Sequence, residues 1–234
     1  MAKEHVHGKP SLPEFNATVD PTLAPFQISQ GTYLENNPTV LYKSTEYHIN
    51  GGIGSGAVVI TDADVFAKSG SNATELPQTT MASQQQQPRV LLVRRAPTDS
   101  SPNLWEVPGG AVDFDDPTIL HGAARELWEE AGLHATAFHR IVGPEHGQVL
   151  TTRRGRLFVK FHFLVDVKSY DVKLDENEHS DFCWATEAEC EVGTVKRRVE
   201  GQETTLDIPF TSEAQKAAIM AGFEAWRKVQ AAAN

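Results

Sequence analysis

The stretch Asp116-Pro-Thr-Ile-Leu-His-Gly-Ala-Ala-Arg-Glu-Leu-Trp-Glu-Glu-Ala-Gly-Leu133 reads as one helix with two chemically different faces. Asp is a preferred N-cap, and Pro at the first helical position gives up no hydrogen bond, so Asp116-Pro117 predicts the start. Gly132 predicts the stop, because glycine enters the left-handed conformation that ends helices without strain. At about 100° per residue, Leu120, Ala123, Ala124, Leu127 and Ala131 share one side. Glu126, Glu129 and Glu130 fall within an arc of roughly 100° on the other.

Carboxylates held that close repel one another by a few tenths of a kcal/mol per pair. Two of them also stand near the helix C-terminus, where the dipole disfavours negative charge. A divalent cation with hard oxygen ligands reverses the sign of each of these effects. The plain alternative is a solvated acidic face. The approach to the helix favours the cation, because Trp105-Glu-Val-Pro-Gly-Gly110 brings a strand into a glycine pair where backbone can pass close to a ligand. The Gly110 carbonyl is a candidate further ligand, and Gly122 leaves room one turn before Glu126.

Working outward, Gly56-Ala-Val-Val-Ile-Thr61 and Arg89-Val-Leu-Leu-Val-Arg94 are strand signals. Between them, residues 67–88 are polar and predict a mobile insertion. Beyond the helix, Val149–Thr152 and Arg156–Val165 predict a hairpin turned at Arg154-Gly155. A strand near Phe182-Cys-Trp184 precedes Glu187-Ala-Glu189, which reads as the opening of a short helix. From Ser212, capped in the Ser-x-x-Gln215 manner, an amphipathic helix carries Ile219, Phe223 and Trp226 as core residues. Residues 1–50 read as an extended arm packed on a core spanning 51–195, with 196–234 as a C-terminal extension. Strands interleaved with two substantial helices predict an α/β fold, a mixed sheet sandwiched by helices.

Composition narrows the function. Of 234 residues, 40% are hydrophobic and 22% charged, as in an ordinary globular protein. Thirty-one acidic against 21 basic residues give a formal charge of −10, which disfavours non-specific nucleic-acid binding. No apolar run approaches the roughly 18 residues that span a bilayer, and the first residues carry no secretory leader, so a cytoplasmic location and no membrane partner are expected. Asn16 and Asn72 head sequons that this location leaves unmodified. Cys183 and Cys190 make neither a zinc pattern nor a disulfide framework and read as free thiols. Gly52-Ile-Gly-Ser-Gly-Ala57 imitates a dinucleotide-binding loop but enters a strand rather than opening a helix, which rules it out. His5 and His7 read as ordinary exposed histidines.

The run Arg125-Glu-Leu-Trp-Glu-Glu-Ala-Gly-Leu133 resembles the second half of the Nudix box, usually written G-x5-E-x7-R-E-U-x-E-E-x-G-U with U a bulky apolar residue, and matches it at every specified position. The flanking Leu91-Leu-Val-Arg-Arg95 and Trp105–Gly110 are also similar to that family, over roughly residues 50–190, and the Arg-Glu-Leu-Trp-Glu-Glu core is similar to Nudix-domain proteins of fungi. The first half departs: Asp116 stands where the family has Glu, and eight rather than seven residues separate it from Arg125. Asp116 is then either the helix cap or a support for the metal or for Arg125, with Asp113 and Asp115 as other oxygen donors.

The resemblance implies a Nudix-like α/β/α sandwich and hydrolysis of a diphosphate linkage in a small molecule. Mg²⁺ or Mn²⁺ would sit on Glu126, Glu129 and Glu130 with Gly110. Arg125 would orient a glutamate by a charge-assisted hydrogen bond. The base would be Glu129, Glu130 or a carboxylate of the loop Asp175-Glu-Asn-Glu-His179, with Glu178 preferred and Glu176 behind it. Arg153, Arg154 and Arg156 and the cluster Lys196-Arg-Arg198 are either phosphate contacts or solvated charge. The organic part of the substrate is not legible: Pro144 lies too near the box for the family's usual ADP-ribose proline. A nucleoside diphosphate derivative is the default. A Nudix-fold binding module with weakened turnover is the alternative, and the extensions and insertion are candidates for shaping the pocket or a homodimer.

Overall fold

The computed structural model describes residues 12–62, 87–152, 154–199 and 202–233; most of the insertion expected at 67–88, together with His5, His7 and Arg153, lies outside them. The N-terminal part runs through β1 (Thr18–Val19), a 3-10 helix (Pro21–Phe26), α1 (Gln30–Asn36) and the hairpin β2 (Thr39–Tyr42)–β3 (Thr45–His48). Then come β4 (Gly52–Val58), β5 (Ile60–Thr61), β6 (Arg89–Arg95), β7 (Trp105–Glu106) and α2 (Ile119–Ala131). The rest is β8 (Ala135–Val142), β9 (Gln148–Thr151), β10 (Leu157–Val167), β11 (His179–Thr186), α3 (Glu187–Val192), the hairpin β12 (Thr194–Val199)–β13 (Gln202–Asp207) and α4 (Glu213–Ala233).

A five-stranded sheet runs β1-β8-β10-β4, with β9 also paired to β10, and a four-stranded sheet runs β11-β6-β5, with β7 on β6. The first is mixed: β4 lies parallel to β10, and β1 to β8, while β8 and β9 are antiparallel to β10. Because successive strand residues point to opposite faces, the pattern divides the interior in two. Ile53, Ala57, Leu91, Val93, Phe161 and Phe163 join the apolar side of α2 in one core. Val58, Ile60, Leu92 and Leu164 join Ile219 and Phe223 of α4 in the other. Helices therefore cover both sides, the α/β/α sandwich expected. Strand β4 is buried along its whole length, which is why its sequence shows no alternation.

Three readings need correction. Helix α2 begins at Ile119 with Thr118 as N-cap, its Oγ1 accepting from the His121 N–H at 3.2 Å. Asp116 is not the cap, because its carboxylate is taken up elsewhere. Within the region 1–50, the described residues 12–50 hold helical and hairpin elements rather than a plain extended arm, and Leu23, Phe26, Val40 and Ile49 are buried in the α2 core. Strand β8 and the β12–β13 hairpin, absent from the sequence reading, are regular elements. Elsewhere expectation and structure agree: β9–β10 pair as a hairpin, Ser212 caps α4 by accepting from the Gln215 N–H at 3.0 Å, and Gly132 ends α2 at φ 66°. Gly52–Val58 is a strand and opens no helix, in keeping with the rejection of the dinucleotide motif.

Both cysteines are free and buried, and burial raises both thiols, Cys190 to about 12. Among the described residues no helix is long and apolar enough to cross a membrane.

Phe223 is fully buried between α4 and the sheet. Phe223→Ala is expected to cost about 3–5 kcal/mol, as large-to-small core changes do, measured by urea unfolding. A loss below about 1 kcal/mol would mean that α4 is not part of the folded core.

Candidate active site

The segment Pro108–Val112 runs alongside β4. Ala57 N–H donates to the Pro108 carbonyl at 2.8 Å, Ser55 N–H to the Gly110 carbonyl at 2.8 Å, and Val112 N–H to the Ile53 carbonyl at 2.9 Å. That pairing demands glycine: at Gly109, with φ +149°, a Cβ would fall 2.2 Å from the Ser55 carbonyl oxygen. The glycine pair is thereby fixed under the polar side of α2. A Cβ on Gly110 would lie 2.6 Å from Glu126 Oε2, and the Gly109 N–H donates to Glu130 Oε2 at 2.6 Å.

Glu126 and Glu130 of the acidic face are thus pressed against backbone. Glu130 is 6% exposed. Its carboxyl is pushed up to about 8 by burial and by the charges of Glu126 and Glu106, against the pull of the Gly109 N–H and Lys160. Burial, with the charges of Glu129 and Glu178, raises Glu126 as well, although Arg125 opposes it. Desolvation of this kind disfavours ionised carboxylates unless positive charge is supplied.

One guanidinium supplies some of it. Arg125 donates to Asp116 through Nε (3.0 Å) and Nη2 (2.9 Å), to Glu126 (2.8 Å) and Glu129 (3.0 Å) through Nη1, and to the Ala111 carbonyl at 2.9 Å. Asp113 stands at 3.4 Å from the same group. Burial opposes the charge on Arg125, but its bonds to Asp116 and Glu126 outweigh it and raise its pKa. Asp116 also accepts from the Asp113 N–H, so its short side chain locks the loop and Arg125 together.

The structure therefore brings Glu126, Glu130, Gly109 and Gly110 together, with Arg125 and Asp116 beside them. Glu129 is turned onto Arg125 and is partly exposed. Among the described residues no three His, Cys, Asp or Glu side chains converge as a ready-made ligand set. Glu178 is exposed, yet its charge acts on Glu126 across the site. The loop before it is tied to the end of α2, with Lys173 N–H donating to the Ala131 carbonyl and Asp175 N–H to that of Glu130. Glu176 is exposed, as are Arg154 and Arg156. Lys196 and Arg197 pair with Glu203 and Asp181. A surface cavity of about 620 Å³ lies elsewhere, lined by Gly193, Ile208, Phe210, Ser212 and Lys216 among others, and contains none of these groups.

Sequence reading missed the buried polar groups Glu106, Lys160 and His162. Glu106 on β7 is 5% exposed, accepts from Arg95 and has the Lys160 ammonium at 3.9 Å. Lys160 and His162 alternate along β10 with the buried apolar residues Val159, Phe161 and Phe163. The signal was present, since two polar residues two apart in an apolar strand share one face. Around Arg125 the chemistry of the donor set suits a divalent cation. It consists of hard oxygens, and four carboxylates share a single guanidinium.

The NUDIX-domain family model matches residues 79–205. The chain belongs to the Nudix family. Among curated Nudix relatives, it is 61% identical over 46 residues to the human m7GpppN-mRNA hydrolase NUDT17, a match covering 19% of this chain and 14% of that one. It is 44% identical over 45 residues to a MutT-like protein of Streptomyces ambofaciens, covering 19% and 26%. The matches thus span well under two thirds of either relative. Among solved structures, the NUDIX domain of Shewanella oneidensis NrtR, complexed with ADP ribose, aligns at 18% identity and TM-score 0.47, covering 87% of this chain and 99% of that one. The MutT NUDIX hydrolase of Burkholderia pseudomallei aligns at 18% identity and TM-score 0.45, covering 71% and 94%.

Burial, with the Lys160 charge, pushes the His162 imidazole from 6.5 down to about 3. The folded chain refuses a proton that the unfolded chain accepts, so stability falls as pH drops from 6.5 towards 3. His162→Gln is expected to lessen the loss between pH 7 and pH 5 by about 2 kcal/mol, read by urea unfolding at both pH values. Equal losses in the two proteins would contradict a neutral buried imidazole.

Proposed function

We propose that this chain is a metal-dependent pyrophosphohydrolase that cleaves the diphosphate linkage of a nucleoside diphosphate derivative or similar small organic diphosphate. The observation that carries this reading is the buried excess of carboxylate around Glu126 and Glu130, held against the Gly109–Gly110 turn and shared with one guanidinium. A helix face of this kind is unfavourable alone and favourable beside a divalent cation.

Glu126, Glu129 and Glu130, with the second lone pair of the Gly110 carbonyl, would hold Mg²⁺ or Mn²⁺. Bound there, the ion supplies neutralisation of phosphate oxygens and acidification of a water. The chain's own groups supply the rest. Arg125 positions Glu126 and Glu129, and Asp116 holds Arg125. The glycine pair fixes the depth at which Glu130 meets the backbone. When the attacking water adds to phosphorus and the bridging P–O bond breaks, the water's proton passes to a carboxylate of Glu129, Glu130 or Glu178. Such a base contributes about 10²–10⁴-fold.

The second reading, a Nudix-fold binding module with weakened turnover, is favoured by one observation: Arg125 already engages both Glu126 and Glu129 in ion pairs. The two readings separate in one assay. Mg²⁺-dependent release of phosphate or nucleotide from a panel of diphosphates is expected. Glu129→Gln and Glu130→Gln are each expected to lower it by about 10²-fold or more, with cooperative melting retained. Binding without turnover would support the module, and full activity in both variants would remove the assignment.

A further inference from the structure

We propose that Gln30, from the N-terminal region, is a positioning residue of the active site. Its side-chain amide is built into the pairing between β4 and the Pro108–Val112 segment, and so holds Asp116 and Arg125 in register with the glutamates of α2. The proposal rests on the diphosphate hydrolysis proposed above and assigns to that site a residue outside the Nudix box.

Gly54 and Ala111 face each other as an antiparallel bridge, which sets Ile53 opposite Val112. At that step of the ladder two opposed residues exchange two backbone hydrogen bonds. One is made directly, Val112 N–H donating to the Ile53 carbonyl at 2.9 Å. The Gln30 amide stands in place of the other. Ile53 N–H donates to Gln30 Oε1 at 3.1 Å, and Gln30 Nε2 donates to the Val112 carbonyl at 2.6 Å. A primary amide offers an acceptor and a donor side by side, as a peptide group does, so it completes the pairing while holding those two backbone groups apart. Gln30 is 2% exposed and opens α1, whose N-cap Ser29 accepts from the Thr32 N–H. Gly52 makes room for it, since a Cβ there would fall 3.1 Å from Gln30 Oε1.

The backbone held in this way is the stem of the loop that serves Arg125. The Ala111 carbonyl accepts from Arg125 Nη2, and Asp116 accepts from Nε and Nη2 of the same group. Val112 and Asp116 are both packed on the first turns of α2: a Cβ on Gly122 would meet Asp116 Oδ2 at 2.8 Å and Val112 Cγ1 at 3.0 Å. The far end of the loop is held from the same place, with Ile119 N–H donating to the Ile28 carbonyl at 3.0 Å. Residues 28 and 30 therefore clasp both ends of the segment 112–119. That segment is where the chain departs from the family pattern, with one residue more and Asp116 in place of Glu. Both clasping residues lie outside 79–205, the part that the family model matches. A contact from the N-terminal region thus steadies a longer loop carrying a shorter acid.

Without the amide, the Ile53 N–H and the Val112 carbonyl either stay apart and unpaired or close on each other and drag the loop stem. Either loosens the acceptors that orient Arg125, and Arg125 in turn holds Glu126 and Glu129. A displacement of about 1 Å at such a support can cost about 10²-fold in rate.

The test uses the full chain. It follows the Arg125 Nε–Hε cross-peak by NMR in the metal-free protein, together with kcat and KM for Mg²⁺-dependent hydrolysis of ADP-ribose and UDP-glucose. Gln30→Met keeps the length of the side chain and removes both hydrogen bonds. It is expected to shift the cross-peak, to speed exchange of that proton about ten-fold or more, and to lower kcat about ten-fold or more with KM changed less than about three-fold. Val40→Ala removes buried apolar volume from the same region and none of these hydrogen bonds, so it is expected to lose stability while cross-peak and kcat stay at wild-type values. Gln30→Asn leaves the amide one methylene short, and is expected to shift the cross-peak even if Gln30→Met does not fold. An unmoved cross-peak, an unchanged kcat, or equal effects in Val40→Ala overturns the clasp and leaves the hydrolase reading intact. A cross-peak that moves in a chain without turnover on any diphosphate supports the clasp and removes the hydrolase reading.

Discussion

The constraint on which the site depends is the contact between the Gly109–Gly110 turn and the acidic face of α2. Backbone hydrogen bonds to β4 hold the turn so close that no side chain fits at Gly109. Glu126 and Glu130 are consequently driven out of water against peptide groups. Arg125 answers part of the resulting charge, but it is divided among Asp113, Asp116, Glu126 and Glu129. Desolvated carboxylates short of positive charge take up protons or bind cations. The raised Glu130 carboxyl is the first of those responses, and a hard divalent ion would supply the second.

Beside this contact lies a second polar group, Glu106 and Lys160, whose charges both act on Glu130. Alternation along β10 sends Phe161 and Phe163 into the α2 core, while His162 meets Gln215 of α4 and Lys160 lies near Glu106. Glu106 also accepts from Arg95.

Much of this was legible in the sequence because it is written in local periods. The spacing of Leu120, Ala123 and Leu127 against Glu126, Glu129 and Glu130 is a helical signal, and all three apolar residues are buried. The N-terminus of α2 was misread because an Asp before Pro imitates a cap. Which carboxylate caps and which serves Arg125 depends on where Arg125 points, nine residues later. The β8 strand was missed because Ala-Thr-Ala-Phe-His-Arg has weak alternation, and it exists through long-range pairing with β10. The buried contacts of Gln148 with Ser212 and of His162 with Gln215 were beyond reach, since they join residues far apart in the chain across a helix–sheet interface. Lys160 and His162, interrupting an apolar run at spacing two, were the one visible trace of buried polar groups there.

The most direct measurement is an anomalous difference map from crystals soaked in Mn²⁺. The account predicts a peak bounded by Glu126, Glu129 and Glu130 near the Gly110 carbonyl, with Glu129 released from Arg125. A map without a peak there at saturating Mn²⁺, with Arg125 still paired to both Glu126 and Glu129, would contradict it.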